Sequence, residues 1–286
     1  MSVGFSSGFY KPFDDLVFKT CFIPFPDNWK GNNSIDEQEE KSLKVIDNLL
    51  SKNASELAAV IIEPLIQGAS GMKICRPDFL DEVVNKFQSN DVLVIFDEVM
   101  TGFGRTGKMF ACNHLKHSPD IVCLAKSLTG GYLPLAATVF KNYIHEEFLD
   151  TSIKKAFLHG HSFSANPIAC EAAIKSIKLF EKDSTLKLVK KIEKIHKEEL
   201  DKLTANPYIS KIRYLGGVSA FDIMSIEKGY GSKIGELLKQ KFLEKGLLLR
   251  PLGSTFYLMP PYCISEDSLR NAYRIINQVV KKINKL

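Results

Sequence analysis

A chain of 286 residues, 45% hydrophobic and 25% charged, has the make-up of a soluble globular protein with room for one large domain or one and a half. Its net charge of +5 comes mostly from lysines spread along predicted helices, which gives no reason to expect a nucleic-acid or membrane partner. There is no apolar run of about 18 residues, the first residues lack the apolar stretch of a signal peptide, and the six cysteines form no C-x-x-C pair, so a cytoplasmic protein with reduced thiols is expected.

Residues 1–34, rich in Phe, Gly, Pro and Asn, read as irregular. The stretch "DEQEEKSLKVIDNLLSKN" reads as an amphipathic helix, with Leu43, Ile46, Leu49 and Leu50 recurring at helical spacing. Strand and helix then alternate. "LAAVIIEP" is an apolar run closed by proline, and "PDFLDEVVNKFQSN" is helical with Pro77 in its first turn. "VLVIFD", "DIVCLA" and "LAATVF" are apolar strands without polar alternation, which predicts an α/β fold whose mostly parallel sheet is covered on both faces. Two helices follow, "NPIACEAAIKSIKLFEKD" and the lysine-rich "LKLVKKIEKIHKEELDKL", whose lysines read as a solvated face. Beyond them "YLGGVSAFDI" reads as one strand, residues 232–245 as a helix, and "GLLLRPLG" and "TFYLMPPY" as strands. A last helix is capped by Ser265 with acids in its first turn. The expected organisation is a partial large domain over residues 1–180 and a small α+β domain over 181–286.

Residues 92–110, "VLVIFDEVMTGFGRTGKMF", imitate two nucleotide motifs at once. A phosphate loop requires Ser or Thr after its lysine to ligate magnesium, but Met109 stands there. The loop also follows Asp97 and Glu98 on their own strand, and one strand end cannot serve both roles. Two other residues stand out. Asp97 ends one apolar strand and Lys126 ends the next, so neighbouring strands deliver a carboxylate and an amine to the carboxyl edge of the sheet, where α/β folds bind ligands. A salt bridge at the sheet edge accounts for the pair. So does pyridoxal 5'-phosphate, which binds a lysine as a Schiff base and has its ring nitrogen held protonated by a carboxylate.

The stretch "IIEPLIQGASGM…LVIFDEVMTGFGRTGKMFAC…PDIVCLAKSLTGGYLPLAAT" resembles the class III, fold-type-I aminotransferases over essentially the whole chain. "LHGHSFSANPIACEAA" and "LRPLGSTFYLMPPY" are similar to the branch that makes 7,8-diaminononanoate from 8-amino-7-oxononanoate, with S-adenosylmethionine as amino donor, in biotin synthesis. The resemblance implies that Lys126 is the cofactor lysine and Asp97 the partner of the pyridine nitrogen. It makes "GFGRTGK" a loop near the subunit interface of a homodimer. Gly160, His161 and Ser162 match the family's "HGPTF" segment, which reaches a neighbour's cofactor phosphate; here His161 replaces Pro and Ser162 replaces Thr, keeping a hydroxyl. Arg250 matches the arginine that takes the substrate carboxylate, and Tyr257 lies near that pocket in the family. Taken singly, Arg250 also fits a surface arginine and Ser162 a turn residue. "CNHLKH" lacks the second ligand cluster of a zinc site, so no metal is expected.

The match to the family begins inside its large domain. Absent from this chain are the family's Gly-Ser phosphate loop and the aromatic residue that stacks on the ring. About four core strands precede residue 165, so an unpaired sheet edge and uncovered apolar surface are expected. Three readings stay open: an aminotransferase completed by a separate N-terminal polypeptide, a class III enzyme with an ω-amino acid substrate, and an inactive remnant.

Overall fold

The computed structural model describes residues 2–4, 11–224 and 233–282. After an irregular start, α1 (Ile35–Asn53) buries Ile46 and Leu50. Parallel strands β1 (Ala59–Ile62) and β4 (Leu93–Asp97) flank a small hairpin, β2 (Ile66–Gln67) with β3 (Lys73–Ile74), and α2 (Pro77–Gln88), which starts on Pro77 as expected. The strands β5 (Ile121–Leu124) and β6 (Ala137–Phe140) complete a four-stranded sheet of order β1-β4-β5-β6.

The sheet is mostly parallel, as expected, but the expectation that it is covered on both faces is corrected. Strand β6 runs antiparallel to β5. Burial also alternates along β4: Val94 and Phe96 are fully buried in a core with Leu80, Val83 and Val84 of α2, while Leu93 and Ile95 on the other face are half-buried. Strand β6 is an edge, with Val139 and Phe140 exposed. Beyond it, α3 (Asn142–Glu146) and irregular chain lead to α4 (Pro167–Lys182), capped by the Asn166 side chain. Along this stretch Tyr132 (89% exposed), Leu158 (80%), Ile168 (72%) and Phe163 (71%) face solvent. The uncovered edge and apolar surface expected from the strand count are present.

The C-terminal third is a separate three-stranded antiparallel sheet with its own core. After α5 (Thr185–Leu203) come β7 (Ile209–Leu215), β8 (Val218–Ile223), α6 (Lys233–Glu244), β9 (Thr255–Leu258) and α7 (Glu266–Val280). The single strand expected over "YLGGVSAFDI" is a hairpin turning at Gly216 and Gly217. Gly216 has φ +56, and a Cβ there would lie 2.3 Å from the Gly107 nitrogen, so only glycine fits. "GLLLRPLG" is not a strand; apart from one bridge, Leu252 to Thr255, it is irregular, because Pro251 offers no N–H and Gly253 turns with φ +64. The helix expected over 232–245 is α6, residue 232 lying outside the described residues. Ser265 caps α7 through the Ser268 N–H, as expected.

Side chains alternate across β8 and β9. Phe221, Ile223, Phe256 and Leu258 enter the core under α5 and α7, while Val218, Ala220 and Tyr257 join the core of the first sheet. The two cores therefore meet on opposite faces of one sheet. Arg213 of β7 crosses between them, donating to the carbonyls of Gly71 and Met72 and to the Asp222 carboxylate at 2.9 Å.

Inside the C-terminal core, His196 is fully buried and its Nδ1 lies 2.7 Å from the Tyr273 hydroxyl, which also bonds Ser219. Burial pushes His196 down to about 4 from its ordinary 6.5. A depressed histidine adds stability that is fully present above pH 6.5 and lost as pH falls toward 4, where the unfolded chain binds the extra proton. Urea unfolding at pH 7 and pH 5 is expected to show the wild type losing roughly 2 kcal/mol more than His196→Phe. Equal losses would contradict this account.

Candidate functional site

Strand register builds the site. Ile62 of β1 pairs with Phe96 of β4, so Glu63 and Asp97 stand level at the carboxyl ends of two parallel strands. Asp97 in turn pairs with Cys123 of β5, three residues before Lys126. Asp97 is half-buried and its carboxylate accepts the Val99 N–H at 3.1 Å, a local turn that orients it. Past Leu124 the chain breaks from the sheet: Lys126 has φ +46, a left-handed conformation that costs a lysine energy and is held by its surroundings. Leu124 and Leu128 on either side are anchored in a small core with Phe103 and Ala173. The Thr129 hydroxyl donates to the Leu133 carbonyl and Gly130 ends the turn with φ +64. The lysine amine itself is exposed.

One further carboxyl reports on both partners. Burial raises the Glu63 carboxyl above its ordinary range; the Asp97 charge pushes it the same way, and the Lys126 charge pulls it back.

The loop after β4 folds around Glu98, which is fully buried. Its carboxylate accepts the N–H groups of Ala111 and Cys112, at 2.6 and 2.9 Å, and the Thr101 hydroxyl at 3.3 Å. Burial raises this carboxyl while those donors pull it down. The "GFGRTGK" amides have internal work: Gly104 N–H bonds the Met109 carbonyl and Gly107 N–H the Gly104 carbonyl. Lys108 Nζ donates to the Asn113 carbonyl. Arg105 stacks on Tyr262, 4.5 Å from the ring centre, and donates to the Pro260 carbonyl, while the Tyr262 hydroxyl donates to the Phe103 carbonyl. The loop is therefore a bridge to the C-terminal sheet and not a phosphate cradle. The histidines of "CNHLKH" are engaged apart, His114 with the Thr106 carbonyl and His117 with Asp81.

Tyr257 packs against the apolar core that also takes in Ile62 and Met100. Arg250 is exposed in the irregular segment before β9. Gly160, His161 and Ser162 lie exposed in the segment before α4. Around them the hydrogen bonds are local, His161 N–H to Ser164 Oγ and Phe163 N–H to His161 Nδ1, both 3.2 Å. The fold thus brings Asp97, Lys126 and Glu63 to one end of the sheet and leaves the 160–162 segment exposed. Glu63 and Glu98 were missed in the sequence; the acid after an apolar run in "VIIEP" was the available signal for the first.

A paired carboxylate and amine at adjacent parallel strand ends, with an apolar side chain nearby, fit a ring whose nitrogen takes a charged partner and whose aldehyde takes an amine. The family described as aminotransferase class-III matches residues 1–280. The chain is 41% identical over 283 residues to the adenosylmethionine-8-amino-7-oxononanoate aminotransferase of Synechococcus elongatus, covering 99% of this chain and 66% of that protein. To the enzyme of the same name from Helicobacter pylori it is 35% identical, covering 64% of that protein. The solved structure of the Methanocaldococcus jannaschii enzyme of that name superposes with a TM-score of 0.88 at 33% identity, over 99% of this chain and 64% of that one. The chain thus spans slightly less than two-thirds of the length of these relatives. Its α/β architecture is that of fold-type-I, pyridoxal-phosphate-dependent transferases, and the chain belongs to the class-III aminotransferases.

Proposed function

We propose that this chain carries the reactive lysine of a cytoplasmic, dimeric aminotransferase that converts 8-amino-7-oxononanoate to 7,8-diaminononanoate with S-adenosylmethionine as amino donor, in biotin synthesis. The observation that carries the reading is the delivery of Asp97 and Lys126 by paired parallel strands to one carboxyl edge. Pyridoxal phosphate, when bound, supplies an electron sink for the bond broken at the amine-bearing carbon.

The residues divide the remaining work. Lys126 Nζ is the amine that holds the cofactor and, once displaced by substrate, takes a proton from the amine-bearing carbon and returns it during transfer. Asp97, oriented by the Val99 N–H, would be the partner of the ring nitrogen and keep a proton on it. Arg250 offers a two-pronged guanidinium to the substrate carboxylate, with Tyr257 beside it. Gly160, His161 and Ser162 serve the cofactor phosphate of a second subunit, and their outward position supports that division. The domain boundary near residue 180 follows the same reading, with residues 1–180 as the cofactor-binding part and 181–286 as the small domain.

The exposed β6 edge and the apolar residues beyond it favour completion by other polypeptide: a second subunit, and a segment equivalent to the relatives' remaining length supplied as a separate N-terminal polypeptide. The test assays amine transfer from S-adenosylmethionine to 8-amino-7-oxononanoate. It uses the chain alone and the chain co-expressed with the part of the Synechococcus relative that it does not match. Activity in the mixture, with parallel double-reciprocal lines, is expected. Intersecting lines would overturn the two-half-reaction scheme. A preference for an ω-amino acid donor would replace the proposed donor, and no turnover in either sample would favour the inactive remnant.

A further inference from the structure

Among the described residues Glu98 is the most deeply buried carboxylate, 0% exposed, and the scheme above gives it no part. An apolar side chain would fill that space at lower free energy, so the charge needs a reason. Its bonds supply one, for they hold the residue from three directions. The Glu98 N–H donates to the Cys123 carbonyl at 3.0 Å, which carries the β4–β5 pairing one residue past Asp97. The Glu98 carbonyl accepts the Gly102 N–H at 3.0 Å, and a Cβ on Gly102 would lie 2.9 Å from that oxygen, so a larger residue would disturb the bond. The carboxylate takes the Cys112 N–H on one oxygen and the Ala111 N–H and Thr101 hydroxyl on the other.

The peptide group between Glu98 and Val99 is thereby fixed at its carbonyl. Its other end is the Val99 N–H, the donor that orients the Asp97 carboxylate at 3.1 Å. Alternation along the strand puts the two acids on opposite faces: Phe96 and Glu98 are fully buried, and Asp97 between them is half-buried. Glu98 grips the strand end from behind while Asp97 projects from the other face. We propose that Glu98 is a positioning residue: it fixes the Glu98–Val99 peptide so that the Val99 N–H holds the Asp97 carboxylate in one orientation. That Asp97 is thereby aimed at a ring nitrogen rests on the aminotransferase reading; that Glu98 aims Asp97 does not. The competing role is to tie residues 111 and 112 back to the strand, which would leave Asp97 indifferent to Glu98.

The first test needs no cofactor. The full chain is labelled with nitrogen-15 at valine and alanine, and amide hydrogen exchange is followed in the wild type and Glu98→Gln. Glutamine keeps the volume but turns its own NH₂ toward one of the two N–H donors, so the grip opens. The Val99 amide is expected to exchange at least about tenfold faster, while the Val94 amide, bonded to Asp120 in the same strand, stays within about twofold of the wild type. Faster exchange at Ala111 with Val99 unchanged assigns Glu98 to the loop alone and overturns the proposal. Equal acceleration of Val94 and Val99 marks general loosening and overturns it too. Should Glu98→Gln fail to fold, Thr101→Val removes one donor at nearly constant shape; a rise of about threefold at Val99 is then expected, and no rise overturns the proposal. The second test loads the chain, with its completing polypeptide, with ring-labelled nitrogen-15 pyridoxal phosphate. The ring-nitrogen shift of Glu98→Gln is expected to move from the wild-type position toward that of Asp97→Asn, and a wild-type shift would overturn the link to the ring. A wild type that takes up no cofactor would count against the aminotransferase reading, and the amide comparison would still decide the role of Glu98.

Discussion

Replacing Lys126 by alanine is expected to abolish the visible absorbance band of lysine-bound cofactor and to cut amine transfer by at least about 10⁴-fold, leaving the fold intact. The size follows from two lost contributions. In the proposed scheme the amine supplies the covalent anchor, and the same atom then moves the proton at the amine-bearing carbon. Neither has a substitute nearby, since Asp97 and Glu63 offer carboxylates where an amine nucleophile is required. Stability should be untouched, because the side chain is exposed and the turn that carries it is anchored by Leu124 and Leu128. The measurement compares absorbance and rate for wild type and variant, each with the completing polypeptide. A variant that kept the band would show that the cofactor sits on another lysine, and the assignment of this strand end would fall.

Arg213→Met is expected to cost about 3 kcal/mol or more of stability, read as a lower urea midpoint. The guanidinium side chain is only 3% exposed. It donates to two carbonyls of the β2–β3 turn and to Asp222, which also accepts the Thr255 hydroxyl at 2.8 Å. Methionine fills the volume but strands those acceptors and leaves a carboxylate against an apolar wall. Arg213→Lys should recover only part of the loss, because one ammonium cannot reach the spread of acceptors that a planar fork reaches. A midpoint for Arg213→Met within experimental error of the wild type would mean that water satisfies those groups, and the crossing side chain would not join the two cores.

Helices were the most legible part of the sequence. Pro77, Asn166 and Ser265 each mark a helix start by chemistry that needs no tertiary partner, and each start is observed. The strand that ends in Asp97 and the one that leads to Lys126 were legible for a similar reason: an apolar run that stops at or just before a charged residue, although β5 itself ends at Leu124. What failed depended on context. "LAATVF" looks buried because its composition is apolar, but among the described residues only its start, Leu135 and Ala137, packs on a core while Val139 and Phe140 stay exposed, and direction of pairing is not written in composition. "YLGGVSAFDI" hid a hairpin, because its glycine pair turns the chain only when the 105–107 loop packs against it. Glu63 went unnoticed because register, not local sequence, sets it level with Asp97.

The sheet of β7, β8 and β9 shields two interiors at once, Phe221 and Phe256 looking one way, Val218 and Tyr257 the other. A partition of this kind cannot be loosened on one side only. Melting the C-terminal helices would strip the wall from the core beneath β1 and β4, so the chain should lose both halves in a single step and tolerate no permanent gap between them. Whatever movement admits and releases ligand must then come from the outward loops, with this wall standing still.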